Sequence, residues 1–354
     1  MSRRISFRFD LLRGGAYYAR LRAMMQSAPH IRYDAGGQIK MSLTGTFYPW
    51  AQDVDGRRME INWLTDEIEP HLVVNGRASP LGVYIPTTPR EVITGKYRYI
   101  EIEAYDRCQR VLDTNSGDPV YFARGTLYVD AIEQLLSAAG IQTVFTTPSD
   151  AAFTEPREWE IGTPYIEIAN ELLGEINYKS LWFDAAGNAI LEPAAVPEAS
   201  QIRHTLSDLD PDTLVVPGIS RQVDLFNAPN EFVVICANPD KAGNMRAVAV
   251  NENQQSPLSV PRRGRKITKV TRVNNIASQS ELQAYADRLR NDSLITGEQI
   301  GVTTGLQAGW GVEDVVALHY GDLNCLGISK AWDMELKVGG RMSHTIERVV
   351  YNLE

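Results

Sequence analysis

Residues 126–196 constrain the fold most, because two helical periods and a tight hairpin follow one another there without a break. Val129, Ile132, Leu135, Leu136 and Ala139 share one face of a helix expected over 128–139, and Gly140 closes it. Thr163 is placed to cap a second helix, with Pro164 as its first residue. Ile166, Ala169, Leu172, Leu173 and Ile176 then form that helix's apolar stripe. A strand over 180–184 turns at Ala185-Ala186-Gly187-Asn188 and returns over 189–192. Trp182 and Phe183 on this hairpin are expected to pack onto the second helix. From Tyr128 to Ser200 there are twelve acidic residues against two basic ones, Arg157 and Lys179. A compact acidic insert thus separates two regions that both read as β, an order that argues for a ring-forming structural protein more than for an enzyme.

The flanks carry period-2 alternation. In residues 1–107, Ile39, Met41 and Leu43 alternate with polar residues, as do Met59–Trp63 in the 59–63 segment. Further strands are expected at 71–74, 83–85 and 98–105, and a helical piece near 17–25. Short strands separated by Gly, Pro and Asn read as a barrel or sandwich. Residues 206–236 return to β character. An excursion over 237–275 holds strands at 246–250 and 267–273 with a loop between them. Ser278-Gln279-Ser280-Glu281 has the form of a capping box for a third helix, with Leu282, Tyr285, Ala286 and Leu289 as its stripe. The last strands are expected at 299–304, 314–319, 325–330 and 343–352. Leu81-Gly82-Val83, Gly95 and Ile100-Glu101 are echoed by Leu326-Gly327-Ile328, Gly340 and Ile346-Glu347. This echo reads as two copies of one small barrel or as chance.

A chain of 354 residues has room for two or three domains with real cores. No apolar run approaches the roughly 18 residues that span a bilayer. The Arg-rich start lacks a signal-peptide apolar core, and Ile5-Ser6-Phe7-Arg8-Phe9 alternates like a strand. Cys108, Cys236 and Cys325 form no CxxC, so neither a zinc site nor a disulfide framework is indicated, and Cys108 and Cys236 read as buried thiols. The net charge of −9 is uneven: residues 1–40 and 261–290 each hold eight Arg or Lys against two acids. These basic stretches either meet the acidic middle across subunits or form separate solvated faces.

Catalytic signatures are missing: no nucleophile elbow, Walker loop, HExxH or GxGxxG occurs. Glu155, Glu158 and Glu160 are close in sequence, but glycoside cleavage needs two carboxyls facing across a cleft, so a solvated face is expected. His30, His71, His204, His319 and His344 are scattered; His319 and His344 fall on alternating strands and supply two ligands at most, too few for a metal. No catalytic, cofactor-binding or metal-binding residue, and no cofactor, is therefore expected. The run Pro261-Arg262-Arg263-Gly264-Arg265-Lys266-Ile267-Thr268-Lys269 suits phosphate, yet no nucleic-acid motif or aromatic interleaving accompanies it. A docking loop, with its arginines outward or in an interface, is the expectation. Trp50, Trp63, Trp159, Trp182, Trp310 and Trp332 do not cluster at sugar-site spacing and read as core or interface anchors.

Several segments resemble the baseplate or distal tail-tip hub proteins of tailed bacteriophages and related injection machines. They are the 127–141 helix with Ala139-Gly140-Ile141, Glu158-Trp159-Glu160-Ile161-Gly162-Thr163-Pro164, and the 172–184 run with its Gly187 turn. Asn227-Ala228-Pro229-Asn230 and Ile346-Glu347-Arg348-Val349-Val350-Tyr351 also fit. The resemblance covers most of the chain and is strongest from 97 to 193. It implies a mainly β chain with an α+β insert: two tail-tube-like β-barrels plus an inserted α/β domain. Residues 1–107 would form the first barrel, 206–236 and 295–354 the second, and 108–205 and 237–294 the insert. It implies a homotrimeric ring at the virion tail tip, built in the host cytoplasm. The ring would adapt a sixfold tube to a threefold tip. Implied partners are a distal tail protein ring, a tape-measure protein and a tail spike or fibre; DNA passes the lumen without specific binding, and there is no membrane span. No fibre, lysozyme or peptidase module is expected after Glu354. Two other readings are a tail-associated cell-wall hydrolase and a carbohydrate-binding tail protein.

Overall fold

The structure is a computed structural model, and it describes residues 3–24, 27–194, 198–211, 213–223, 228–236, 245–273, 279–292 and 295–349. The first ten strands are β1 (Ile5–Arg13), β2 (Ala16–Ala23), β3 (His30–Asp34), β4 (Met41–Gln52), β5 (Arg58–Met59), β6 (Asp66–Val74), β7 (Arg77–Pro80), β8 (Tyr84–Pro86), β9 (Arg90–Thr94) and β10 (Tyr97–Asp106). Six of them close a ring: β1 pairs β2, β2 pairs β4, β4 pairs β10, β10 pairs β8, β8 pairs β6, and β6 returns to β1. Every pair is antiparallel, so the ring is a closed six-strand barrel with its own edges satisfied. Phe9, Leu11, Leu21, Leu43, Phe47, Ile68, Leu72 and Tyr84 are among its buried side chains. Phe9 meets Phe47 edge-on with ring centroids 5.2 Å apart.

The helical piece expected near 17–25 is instead β2. Gly14 and Gly15, at φ 59° and 80°, form the two-residue turn that joins β1 to β2, with Arg13 opposite Ala16. Ala19 and Leu21 are buried while Tyr17 and Arg20 are exposed, a period of two that the Ala, Leu, Met and Arg content disguised. The strand expected over 59–63 is confined to Arg58–Met59. Asn62 stops it: its Oδ1 accepts from Leu64 N, and its carbonyl accepts from Thr65 N and Asp66 N.

The insert follows as α1 (Cys108–Asp113), β11 (Val120–Phe122), α2 (Tyr128–Ala138), β12 (Val144–Thr146), β13 (Arg157–Trp159), α3 (Tyr165–Glu175), β14 (Trp182–Phe183) and β15 (Ala189–Leu191). Its core joins Val129, Ile132, Leu135 and Leu136 of α2 to Ile166, Ala169, Leu172 and Leu173 of α3, with Phe183, Ala189 and Leu191 of the hairpin. Phe183 packs into this core, whereas Trp182 is only half-buried. Gly140 at φ 77° ends α2. The cap of α3 is Pro164 rather than Thr163, whose hydroxyl instead donates to Glu160 O at 2.8 Å. Helix α1 had no counterpart among the sequence expectations; its buried face is only Cys108 and Val111.

One ionic contact ties the insert to the barrel. Glu67 of β6 accepts from Arg107 Nη2 at 2.6 Å and Arg110 Nη2 at 3.2 Å, and Arg107 Nη1 donates to Gly187 O at 2.7 Å. Gly187 has φ 77°, and a Cβ there would meet Arg107 Nη1 and Val83 Cγ2 at 2.9 Å, so the hairpin turn requires glycine.

The remaining elements are β16 (Ile202–Ser207), β17 (Ile219–Val223), β18 (Glu231–Cys236), β19 (Met245–Val250), α4 (Val260–Arg263), β20 (Thr268–Val273), α5 (Gln279–Asp292), β21 (Ile295–Gly305), β22 (Val315–Tyr320), β23 (Leu323–Glu335) and β24 (Arg341–Val349). The chain divides into two units. One is Met1–Ala195 with Gly305–Val312 and Lys330–Ser343; the other is Val196–Thr304 with Glu313–Ser329 and His344–Glu354. In the second unit β17, β21, the 344–349 part of β24, the 323–329 part of β23, β22 and β16 neighbour one another in that order. No pairing joins β16 to β17 among the described residues, so this run is described as an open sheet and not as a second barrel. A separate three-stranded sheet, β19-β18-β20, carries α5 on one face through Val234, Cys236, Ala247, Ala249, Leu282 and Ala286. Ser278 of the expected capping box lies outside the described residues. Half of the glycine echo has a structural basis. Gly95 and Gly340 both precede a long last strand of their hairpin. Gly82, however, sits at φ 122° in the segment between β7 and β8, while Gly327 lies inside β23. A Cβ on Gly327 would collide with Ile346 Cγ2.

Candidate functional site

The carboxylates near residue 158 do not make a catalytic pair. Glu155, Glu158 and Glu160 are all exposed, and Glu158 stands opposite Tyr121 across the β11–β13 ladder. Strand alternation sends Glu158 away from Arg157 and Trp159. Those two engage α3 instead: Arg157 Nη1 bonds Glu175 Oε2 at 2.6 Å, Arg157 Nη2 bonds Glu171 Oε1 at 2.5 Å, and Trp159 Nε1 donates to Glu171 Oε2 at 2.8 Å. Arg157 also lies 5.0 Å from the Trp159 ring centroid. Tyr128 donates to Glu175 at 2.8 Å, and burial with this contact pushes its phenol up to about 12. The acidic helix is thus partly neutralised on one side, while Tyr121, Phe145 and Ile161 stand exposed beside the remaining acids.

The histidines are held by local hydrogen bonds, and His204 lies near enough to His344 for its charge to act on it. His30 Nδ1 bonds Asp333 at 2.8 Å, His204 Nε2 bonds Asp314 at 2.9 Å, and His319 Nδ1 bonds Asn324 at 2.7 Å. His344 is buried and shares a 2.9 Å bond with Thr304 Oγ1; burial pulls its imidazole down to about 3. His319 is exposed and does not converge with it. Among the described residues the grouping close enough to share an ion is Asp10, Glu69 and His71. Its donor set does not suit a cation, because Arg8 and Arg20 occupy both Asp10 oxygens at 2.8 and 3.1 Å. These residues read as an ion-pair network on the outer face of β1 and β6.

The basic run is presented at one edge of the β19-β18-β20 sheet. Buried Asn230 pins it, accepting from Ile267 N at 2.7 Å and donating to Leu258 O and Arg265 O at 3.1 and 3.0 Å. Gly264 at φ 67° turns the chain out of α4, a short helix where the sequence predicts a loop. Arg262, Arg265, Lys266 and Lys269 are exposed, and Arg263 donates to Ala228 O. Lys266 pairs with Glu231 at 2.7 Å. Among the described residues β20 pairs with β18 alone, leaving a basic outer edge with Lys269, Val270 and Arg272 exposed. The tryptophans divide by burial. Trp310 and Trp332 are buried, whereas Trp50 and Trp63, thirteen residues apart in sequence, line one open cleft with Arg58. Sequence spacing hid this pairing because a strand and an Asn62 turn, not a periodic element, bring them together.

No protein-family model matches the chain, and no characterised protein matches it by sequence. Solved structures do match in fold. The tail protein from Neisseria meningitidis superposes with a TM-score of 0.68 at 13% identity, covering 97% of this chain and 96% of that one. The chain has the fold of phage tail proteins. The 43 kDa tail protein of prophage MuSo2 from Shewanella oneidensis gives a TM-score of 0.67 at 14% identity, over 97% and 98% of the two chains. The Escherichia coli c3393 protein is described as a type VI secretion component similar to the T4 bacteriophage tail proteins gp27 and gp5. It gives 0.53 at 10% identity, over 97% of this chain and 77% of that one.

Proposed function

We propose that this chain is a non-enzymatic structural protein of a phage-like tail tip, working as a hub ring of three copies. The observation that carries the reading is the closed six-strand barrel followed by a helical insert, in a fold shared end to end with prophage tail proteins. The open β17-β21-β24-β23-β22-β16 sheet supplies most of a second tube-like barrel, which takes β16 and β17 with 295–349 and leaves β18 to the separate β19-β18-β20 sheet. Six barrels around one axis then adapt a sixfold tube to a threefold tip and enclose a conduit for DNA. A distal tail ring, a tape-measure protein and a spike or fibre are the partners of such a hub. The basic edge of β20, unpaired among the described residues, and the acidic surface of the insert are complementary in charge, and a ring of identical copies brings unlike surfaces together at each junction. Light scattering on a sizing column tests the assembly: the mass of three chains supports the proposal, and a mass of one chain at every concentration refutes it.

A further inference from the structure

We propose that the cleft between the β9–β10 hairpin and the 49–63 segment binds an acidic saccharide. The cleft is open, about 620 Å³ in volume, and lies within the first unit. That volume falls in the range of small-ligand sites. Trp50 and Trp63 are both half-buried there, over Pro49, Pro89 and Ile100. Trp50 is held in place on two sides: the Tyr48 ring is 5.2 Å from it, and the Arg58 guanidinium lies 4.1 Å over its face. Among the described residues the Arg58 guanidinium makes no ion pair, and its contact is the Trp50 ring beneath it, so its charge is available to a ligand in the cleft. At the rim Arg98 pairs with Glu91 at 2.5 Å.

The chemistry follows from the flat Trp63 indole and the Arg58 guanidinium in one lining, Trp50 being already covered by Tyr48 and Arg58. A pyranose presents an apolar C–H face that fits an indole and a rim of hydroxyls that accept from N–H groups. Two arginines against one glutamate make the lining positive in a chain whose net charge is −9. A sugar carboxylate is the group that the planar Arg58 fork recognises bidentately. An apolar peptide would leave Arg58 without a counter-charge, and a neutral glycan would use the Trp63 indole but not the guanidinium. The inference is independent of the ring: it uses residues of one chain alone.

The test is a titration of the full-length protein with tetragalacturonate, a hyaluronan tetrasaccharide, sialyllactose and neutral maltotetraose. Binding is followed by tryptophan fluorescence and calorimetry. The expected result is binding of at least one acidic saccharide roughly tenfold tighter than the neutral one, a difference of about 1.4 kcal/mol. Trp63→Ala weakens all binding by tenfold or more. Arg58→Ala removes the acidic preference and keeps the stacking on Trp63, and circular dichroism checks that the variant retains the parent's fold. Absence of binding by every acidic saccharide at millimolar concentration overturns the proposal. So does equal binding of the neutral one, or affinity unchanged in Arg58→Ala. None of these outcomes bears on the mass of the assembly, so this proposal and the hub reading fail separately.

Discussion

At the scale of single residues, buried charge governs the response to pH and to substitution. His344 titrates near 3 in the folded chain against an ordinary 6.5, because burial penalises the imidazolium. The unfolded chain therefore binds the proton first as pH falls, and stability present above 6.5 is lost progressively down to 3. The slope is about 1.4 kcal/mol per pH unit at its steepest. Asp106 runs the other way: burial raises it to about 6 from 3.8, although Met41 N and Cys108 N both donate to it at 2.9 Å. Its contribution is full below 3.8 and is lost as pH rises through 6. Denaturant titrations at a series of pH values should show His344→Gln flattening the acid limb, and Asp106→Asn flattening the opposite slope. Arg107 bridges Glu67, which is 6% exposed at its side chain, to the Gly187 carbonyl. Arg107→Ala should cost about 2–3 kcal/mol by the same denaturant measurement, less than a fully buried pair because the guanidinium is partly solvated. None of these three partnerships was legible in the sequence, since Glu67, Arg107 and Gly187 meet only through the fold.

At the scale of elements, periodicity was a good guide wherever a face is buried against one partner. The stripes on α2, α3 and α5 are buried at Leu135, Leu172 and Leu282, as their spacing indicates. Leu136 is 0% exposed in the insert core, and Leu136→Ala should cost about 2–5 kcal/mol in equilibrium unfolding. Tertiary demands decided the exceptions. The glycine pair at 14–15 makes a hairpin where composition suggested a helix, Asn62 truncates a strand, and α1 is too short to show a period. The edge of β20 carries a prediction of its own. Lys269→Glu with Arg272→Glu leaves a soluble chain with the parent's circular dichroism but should weaken trimer assembly at least roughly tenfold, read as the concentration at which the mass falls. An unchanged assembly would separate the basic edge from the subunit contact.

At the scale of the whole molecule, the β–insert–β order was legible because charge and period both change at its borders. Barrel closure was not legible, because it depends on the long-range pairing of β6 with β1, Ile5 to Val74 through Arg13 to Asp66. The aromatic cleft was missed for the same reason: Trp50 and Trp63 share no periodic element. The account's central claim is that three copies form a hub ring around a channel. Electron microscopy of the purified protein, averaged without imposed symmetry, tests it most directly. A threefold particle with a central hole and six density lobes around it is the predicted result. Single particles the size of one chain, or a closed dimer without a channel, would contradict the claim.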